Sequence, residues 1–293
     1  MSIIKVRLQE AWDWGGLSTK QLATRTWGAM DKHDTFNQAA VIAFYAMLSL
    51  VPMLGFVLLI ALGTRTAVAD ELLRVSYQLP GQAGDIVRDQ VHKIQTSAPV
   101  GVLSLSAVVL LWSASSLFVA VMDMLNVVYG VKDGRPWWKR RLMAIVLTLC
   151  EVILLVGASV VAVGGPHYID SLGLGWWGSV GATVVQWLIV IFALLLAFAL
   201  AYFFGPHIEQ TWEWITPGST IGVIGLILIS LGFRAYLLIG FNSEAYGALA
   251  GVVLMLLWLY ATSLALLVGA EVNCVIEQAA PHGRAPGQKA LPA

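Results

Sequence analysis

"GVVLMLLWLYATSLALLVGAEVN", residues 251 to 273, carries no charge until Glu271. An α-helix rises about 1.5 Å per residue, so a bilayer core of about 30 Å needs about 20 mostly apolar residues in a row. This run meets that length with a carboxylate at its far end. A second acid, Glu151, lies inside another apolar run, "VLTLCEVILLV". Where these acids sit in depth decides what they can meet.

The rest of the chain has the same character. Of its 293 residues, 58% are apolar and 12% charged, where a soluble domain carries about 25% charged residues. The mean hydropathy is +0.79. Such a chain cannot present water-compatible surface all round and reads as a polytopic membrane protein. The formal net charge is zero, which removes the overall basic field that nucleic-acid binding requires. Cys150 and Cys274 both lie in apolar runs and read as small core residues, neither a disulfide nor a metal site. No long apolar stretch precedes residue 38, so no cleaved signal peptide is expected.

Six segments are long enough to span: Ala39 to Gly63, Gly101 to Gly130, Leu142 to Gly164, Trp176 to Phe204, Ser219 to Phe241 and Tyr246 to Val275. The expected fold is all-α, with six transmembrane helices. A six-helix membrane domain at 39–275 follows an N-terminal segment at 1–38 and precedes a disordered tail at 276–293. Between helices 1 and 2, "DELLRVSYQLPG" and "GDIVRDQVHKIQ" read as two short amphipathic helices broken at Pro80-Gly81. "STKQ" at 18 to 21 fits a capping box that opens an interfacial helix.

Cation placement sets the expected orientation. Lys5, Arg7, Lys20, Arg25 and Lys32 precede helix 1. Lys132, Arg135, Lys139, Arg140 and Arg141 connect helices 2 and 3, and Arg284 and Lys289 lie in the tail. The opposite side holds only Arg65, Arg74, Arg88 and Lys93. Both termini are therefore expected in the cytoplasm. Trp137, Trp138, Trp176, Trp177, Trp212 and Trp214 fall at span ends, as an aromatic belt requires.

Inside the spans, polar residues define a candidate seam. Glu151 falls near mid-span, roughly 14 Å from the cytoplasmic face, and Arg234 roughly 22 Å from it. An arginine can close most of that gap, so a Glu151–Arg234 pair is one reading, and Arg234 snorkelling outward is the other. Asp123 and Glu271 both fall at the cytoplasmic edge, level with Lys139, Arg140 and Arg141. For Glu271 the ordinary role is an ion pair or hydrogen bond that holds helix ends. The functional role is to line a cytoplasm-facing cavity.

Ser113, Ser116, Asp123 and Asn126 share one face of helix 2. Tyr45, Ser49 and Pro52 share a face of helix 1, where Pro52 opens the helix locally. Tyr260 and Glu271 share a side of helix 6. Against this conduit stands ordinary helix–helix hydrogen bonding, worth under about 1 kcal/mol per bond. Gly218/Gly222 and Gly247/Gly251 are small-residue pairs that permit close packing. "LLVGA" recurs at 154–158 and 266–270, the mark of an inverted three-plus-three repeat unless five common membrane residues coincide by chance.

No histidine lies deep in a span, and no metal-ligand spacing, phosphate-binding loop or nucleophile elbow occurs. The chain is therefore expected to be no enzyme and to use no cofactor or metal.

"AVIAFYAMLSLVPML" (40 to 54), "LWSASSLFVAVMDMLNVVYG" (111 to 130), "RPWWKRRL" (135 to 142) and "AYGALAGVVLMLLWLYATSLALLVGAEVN" (245 to 273) resemble the YihY/virulence factor BrkB family. The resemblance covers roughly residues 36 to 278. It implies a bacterial inner-membrane protein of six helices. Some family members are named for ribonuclease BN, and others for serum resistance or envelope lipid export. The family pattern draws attention to Tyr45, Ser49, Pro52, Ser115, Ser116, Asn126, Arg135, Gly251, Trp258, Tyr260, Gly269 and Glu271. Two functions follow as expectations. One is transport or flipping of an amphipathic envelope substrate such as a lipid or lipid-linked glycan. The other is a non-transporting organiser that binds membrane lipids or partner proteins.

Overall fold

The computed structural model describes residues 12–63, 100–171, 173, 175–210, 215–240 and 243–281. The described regular structure is helical throughout. A 3-10 turn (Trp14–Gly16) precedes α1 (Thr19–Lys32), α2 (Thr35–Gly63), α3 (Val100–Ala114), α4 (Ser116–Val128), α5 (Trp137–Ser171), α6 (Trp176–Phe204), α7 (Pro217–Gly240) and α8 (Ser243–Ala279). Among the described residues, six stretches are long and apolar enough to cross a membrane: Thr35–Phe56, Leu105–Val128, Trp137–Ala162, Trp176–Phe204, Pro217–Leu237 and Gly251–Ala279. Large apolar side chains cover their outer faces; Ile153 is 70% exposed and Leu228 63%. Such a surface suits lipid and not water. The protein is a multi-pass membrane protein.

Local chemistry accounts for the helix boundaries. α1 opens on a capping box: Ser18 Oγ accepts from Gln21 N at 3.3 Å and Gln21 Oε1 accepts from Ser18 N at 2.9 Å. α4 ends in a Schellman turn. Gly130 takes a positive φ of 64°, Val131 N donates to Asn126 O and Gly130 N to Val127 O, both at 2.9 Å. α7 starts with Pro217 at its first position and a reciprocal cap, in which Ser219 N donates to Thr216 Oγ1 at 3.0 Å and Thr216 N to Ser219 Oγ at 2.9 Å.

The second span departs from the continuous helix expected over Gly101 to Gly130. It breaks at Ser115, whose hydroxyl donates to Trp112 O at 2.7 Å. A serine hydroxyl that bonds back into the preceding turn bends a helix. The last span also runs further than expected. α8 continues to Ala279, and Ile276 is buried with Leu22, Val272 and Val275. The tail therefore begins beyond 276. The two amphipathic helices expected around Pro80-Gly81 lie outside the described residues.

The chain divides into two compact units, one from Met1–Tyr45 and Leu117–Ala293, the other Ala46–Ser116. In the second, Gly55 of α2 lies against Leu110 of α3. In the first, α5 packs on α6, α7 on α6 and α8, and α1 on α8. Its largest apolar core joins Ile42, Val121, Leu125, Phe198, Tyr202, Val223 and Leu267. α1 turns Leu22, Thr26 and Met30 inward at helical spacing and leaves Arg25, Trp27 and Lys32 exposed.

Of the glycine pairs picked from spacing, Gly218 is tightly packed, but its partner in space is Gly269 of α8. A Cβ at either would overlap the other's carbonyl oxygen, and one at Gly269 would also overlap the Tyr202 hydroxyl. Gly222 abuts Phe198. Gly251 has open space around it, which corrects the expectation of a close approach there. The two "LLVGA" copies also differ, since Gly157 is open where Gly269 is enclosed. Gly218→Ala and Gly269→Ala are each expected to destabilise by about 1–3 kcal/mol through overpacking. Gly251→Ala should be neutral or slightly stabilising. Thermal unfolding of the purified variants in detergent, followed by tryptophan fluorescence, checks the contrast.

Candidate functional site

Several polar side chains of the larger unit gather into separate brackets near helix ends. Glu271, on α8, is 0% exposed. His33 Nδ1 donates to its carboxylate at 2.9 and 3.2 Å, and Thr35 Oγ1 donates at 3.1 Å. These partners flank the α1–α2 junction, so one buried acid fastens both helices to α8. Two residues on, Asn273 Oδ1 accepts from Gly218 N at 2.8 Å and its Nδ2 donates to Thr216 Oγ1 at 2.9 Å, which ties α8 to the start of α7. Cys274 Sγ reaches Val128 O at 3.4 Å. Tyr202, buried on α6, donates to Leu266 O at 2.7 Å.

A second bracket forms in the loop after α4. Asp133 accepts from Arg135 N at 3.0 Å, from Arg135 Nε at 2.9 Å, from Arg135 Nη2 at 2.9 Å and from Asn126 Nδ2 at 3.4 Å. Arg135 also donates to Phe204 O at 3.2 Å and Gly205 O at 2.8 Å, carbonyls that the end of α6 leaves unpaired. His207 N donates to Asn126 Oδ1 at 2.7 Å, and Gly134 N to His207 Nδ1 at 2.8 Å. Burial disfavours charge on Asp133, but the Arg135 side-chain and backbone donors outweigh it and hold its carboxyl below the usual carboxylate range. Asp123 pairs with Arg140.

The expected seam therefore divides. Asp123 meets the basic loop through Arg140, and Tyr260 packs against the core on the same side of α8 as buried Glu271. Asp123 and Asn126, assigned one face with Ser113 and Ser116, turn to different partners: Arg140 for the first, Asp133 and His207 for the second. The break at Ser115 leaves Ser113 on α3 and puts Ser116 on α4 with Asp123 and Asn126. Tyr45 is exposed and meets Phe44 edge to face at 5.8 Å. Ser49, Pro52, Ser113 and Ser116 belong to the other unit, where α2 runs through Pro52.

Glu271 does not line a cavity; its whole surface is enclosed. Nor do Glu151 and Arg234 pair. Arg234 is exposed on α7, whereas Glu151 is buried on the packed face of α5 with Ala144, Leu147 and Thr148. α5 packs chiefly on α6, so the adjacency the pair needed is lacking. Glu151 has no hydrogen-bond or ionic partner among the described residues.

His33, Tyr202, Asp133, His207 and Asn273 escaped sequence reasoning. Each looked like an edge or loop residue, or a single polar position in an apolar run. The one usable signal was the "HDT" step at 33–35, where polar residues stand directly before a span.

Removing Glu271 leaves buried donors unpaired, so Glu271→Ala is expected to cost about 1–3 kcal/mol. Glu271→Gln keeps an acceptor for Thr35 and should cost less. Asp133→Asn should cost a similar amount, with a distinctive pH dependence. The folded pKa of Asp133 lies below the unfolded one, so its contribution is complete above about pH 4 and disappears as pH falls through the folded value. Melting temperatures of wild type and Asp133→Asn should differ at pH 7 and converge in acid.

The virulence factor BrkB family model matches residues 26–292. A putative ribonuclease-like protein, YfkH, of Bacillus subtilis is 27% identical over 84% of this chain and 91% of its own length. A UPF0761 membrane protein of Vibrio atlanticus is 30% identical over 83% of this chain and 79% of its own. Another, from Tolumonas auensis, is 26% identical over 64% of this chain and 60% of its own. No solved structure matches the chain. A six-span helical protein whose family match runs through the Asp133–Arg135 loop and the Glu271 bracket belongs to the virulence factor BrkB family.

Proposed function

We propose that the protein is a non-transporting organiser of a bacterial inner membrane, which supports envelope integrity by binding lipids or partner proteins. The observation that carries this reading is the pairing of the acids at the span ends. Glu271 is enclosed with His33 and Thr35, Asp123 pairs with Arg140, and Asp133 pairs with Arg135. Groups committed to holding helix ends together are not available to a moving cargo. In this reading both termini face the cytoplasm and the chain is not an enzyme.

A second reading is transport of an amphipathic envelope substrate, a lipid or lipid-linked glycan. Glu151 favours it. An ionisable side chain within a span costs about 2.5–3.5 kcal/mol on insertion scales, and such residues mark ion or substrate pathways. Glu151 is buried and bears that cost without a partner among the described residues.

Proteoliposomes with fluorescent phospholipid and a membrane-impermeant quencher separate the two. An organiser leaves the lipid translocation rate at that of protein-free vesicles. A transporter raises it, and Glu151→Gln brings it back to the protein-free rate. Acceleration by wild type would overturn the first reading.

A further inference from the structure

We propose that the cavity between α1, the end of α4 and the end of α8 binds a phosphate-bearing anionic group. The cavity measures about 390 Å³ and is lined by Arg25, Gly28, Ala29, Lys32 and His33 of the α1 region, Val128, Tyr129 and Gly130 after α4, and Val275 and Gln278 of α8. That volume falls in the range of small-ligand sites. Arg25, Gly28, Ala29 and Lys32 recur at helical spacing, which sets both cations on one stripe of α1. Gly28 makes the room between them, since a Cβ there would meet nothing within 4 Å.

The charges are unspent. Neither Arg25 nor Lys32 has a carboxylate partner among the described residues. Asp31 and Asp34, which flank Lys32 and His33 in the chain, are not among the lining residues, and Asp34 accepts from Asn37 at 2.9 and 2.8 Å. His33 is held by Glu271 at Nδ1, which fixes its ring at the cavity wall.

The depth suits a headgroup. Val128 ends one candidate span, and Val275 and Gln278 lie in the last turns of another. Trp27, on the same helix as the cations, is exposed and stacks edge to face on Phe36 at 6.0 Å, as interfacial tryptophans do. An arginine offers paired donors to phosphate and a lysine a point charge, a combination suited to a monoanionic phosphodiester or to free phosphate. The competing role for both cations is to complement the negative C-terminal ends of α4 and α8. The inference stands on the cavity alone and holds under either function above.

The test is lipid retention by the purified full chain in detergent, read by native mass spectrometry with phosphatidylglycerol as probe and inorganic phosphate as competitor. Wild type should retain phosphatidylglycerol. Arg25→Gln with Lys32→Gln should weaken retention by about tenfold, the loss expected for a charge-assisted contact. Gly28→Leu, which fills the cavity and leaves the charges, should weaken it comparably. Lys20→Gln with Lys139→Gln, away from the cavity, should leave it unchanged. If millimolar phosphate does not displace the lipid, the headgroup is the source of the anion; if phosphate displaces it or binds alone with the same dependence, free phosphate is. Both support the site. Three results overturn it: neither probe binds, the Lys20/Lys139 variant loses as much as the Arg25/Lys32 variant, or the Arg25/Lys32 variant melts lower while it retains lipid equally.

Discussion

A carboxylate enclosed on every side must be answered by donors, and in this protein that requirement falls on Glu271. His33 and Thr35 answer it. Because those residues bracket the step from α1 to α2, the bonds do more than neutralise one acid. They fasten the N-terminal helix and the start of the first span to the last span. Loss of a partner around a buried carboxylate costs more than the bond itself contributes, so this arrangement resists piecemeal change.

The surrounding turn of α8 repeats the principle with different chemistry. Gly269 lets α7 approach until backbones touch, Asn273 caps the start of α7, Cys274 meets the end of α4, and Val272, Val275 and Ile276 bury Leu22. One stretch of about two helical turns thereby contacts α1, α4 and α7. Side chains there alternate between the glycine needed for close approach and the polar atoms needed by helix termini. The Asp133–Arg135 loop does the same for the ends of α4 and α6. In both brackets, polar residues stand where helix ends leave backbone groups unpaired.

Against that background Glu151 stands out, buried on the same face of α5 as Ala144, Leu147 and Thr148 and without a partner among the described residues. Glu271, Asn273 and Arg135 explain their own presence by what they hold; Glu151 does not. The cavity beside His33 is the other feature left over once helix ends are satisfied. It lies one side chain away from Glu271, so the acid shapes the cavity wall without being exposed to it.

Composition and run length alone determined the six spans, because a bilayer sets a length that any apolar helix must match. Local chemistry in the sequence also determined the capping box at Ser18, the helix end at Gly130 and the meeting of Asp123 with the Arg140 loop, since each depends on residues close in the chain. Partnerships were decided only by the tertiary structure. Depth permits Glu151 to meet Arg234, but helix adjacency does not; spacing nominates Gly251 and passes over Gly269, yet of the two it is Gly269 that faces a backbone. A helix offers every face of its surface to the reader of a sequence. Which face meets which neighbour is settled by packing among several helices at once, and no single segment contains that information.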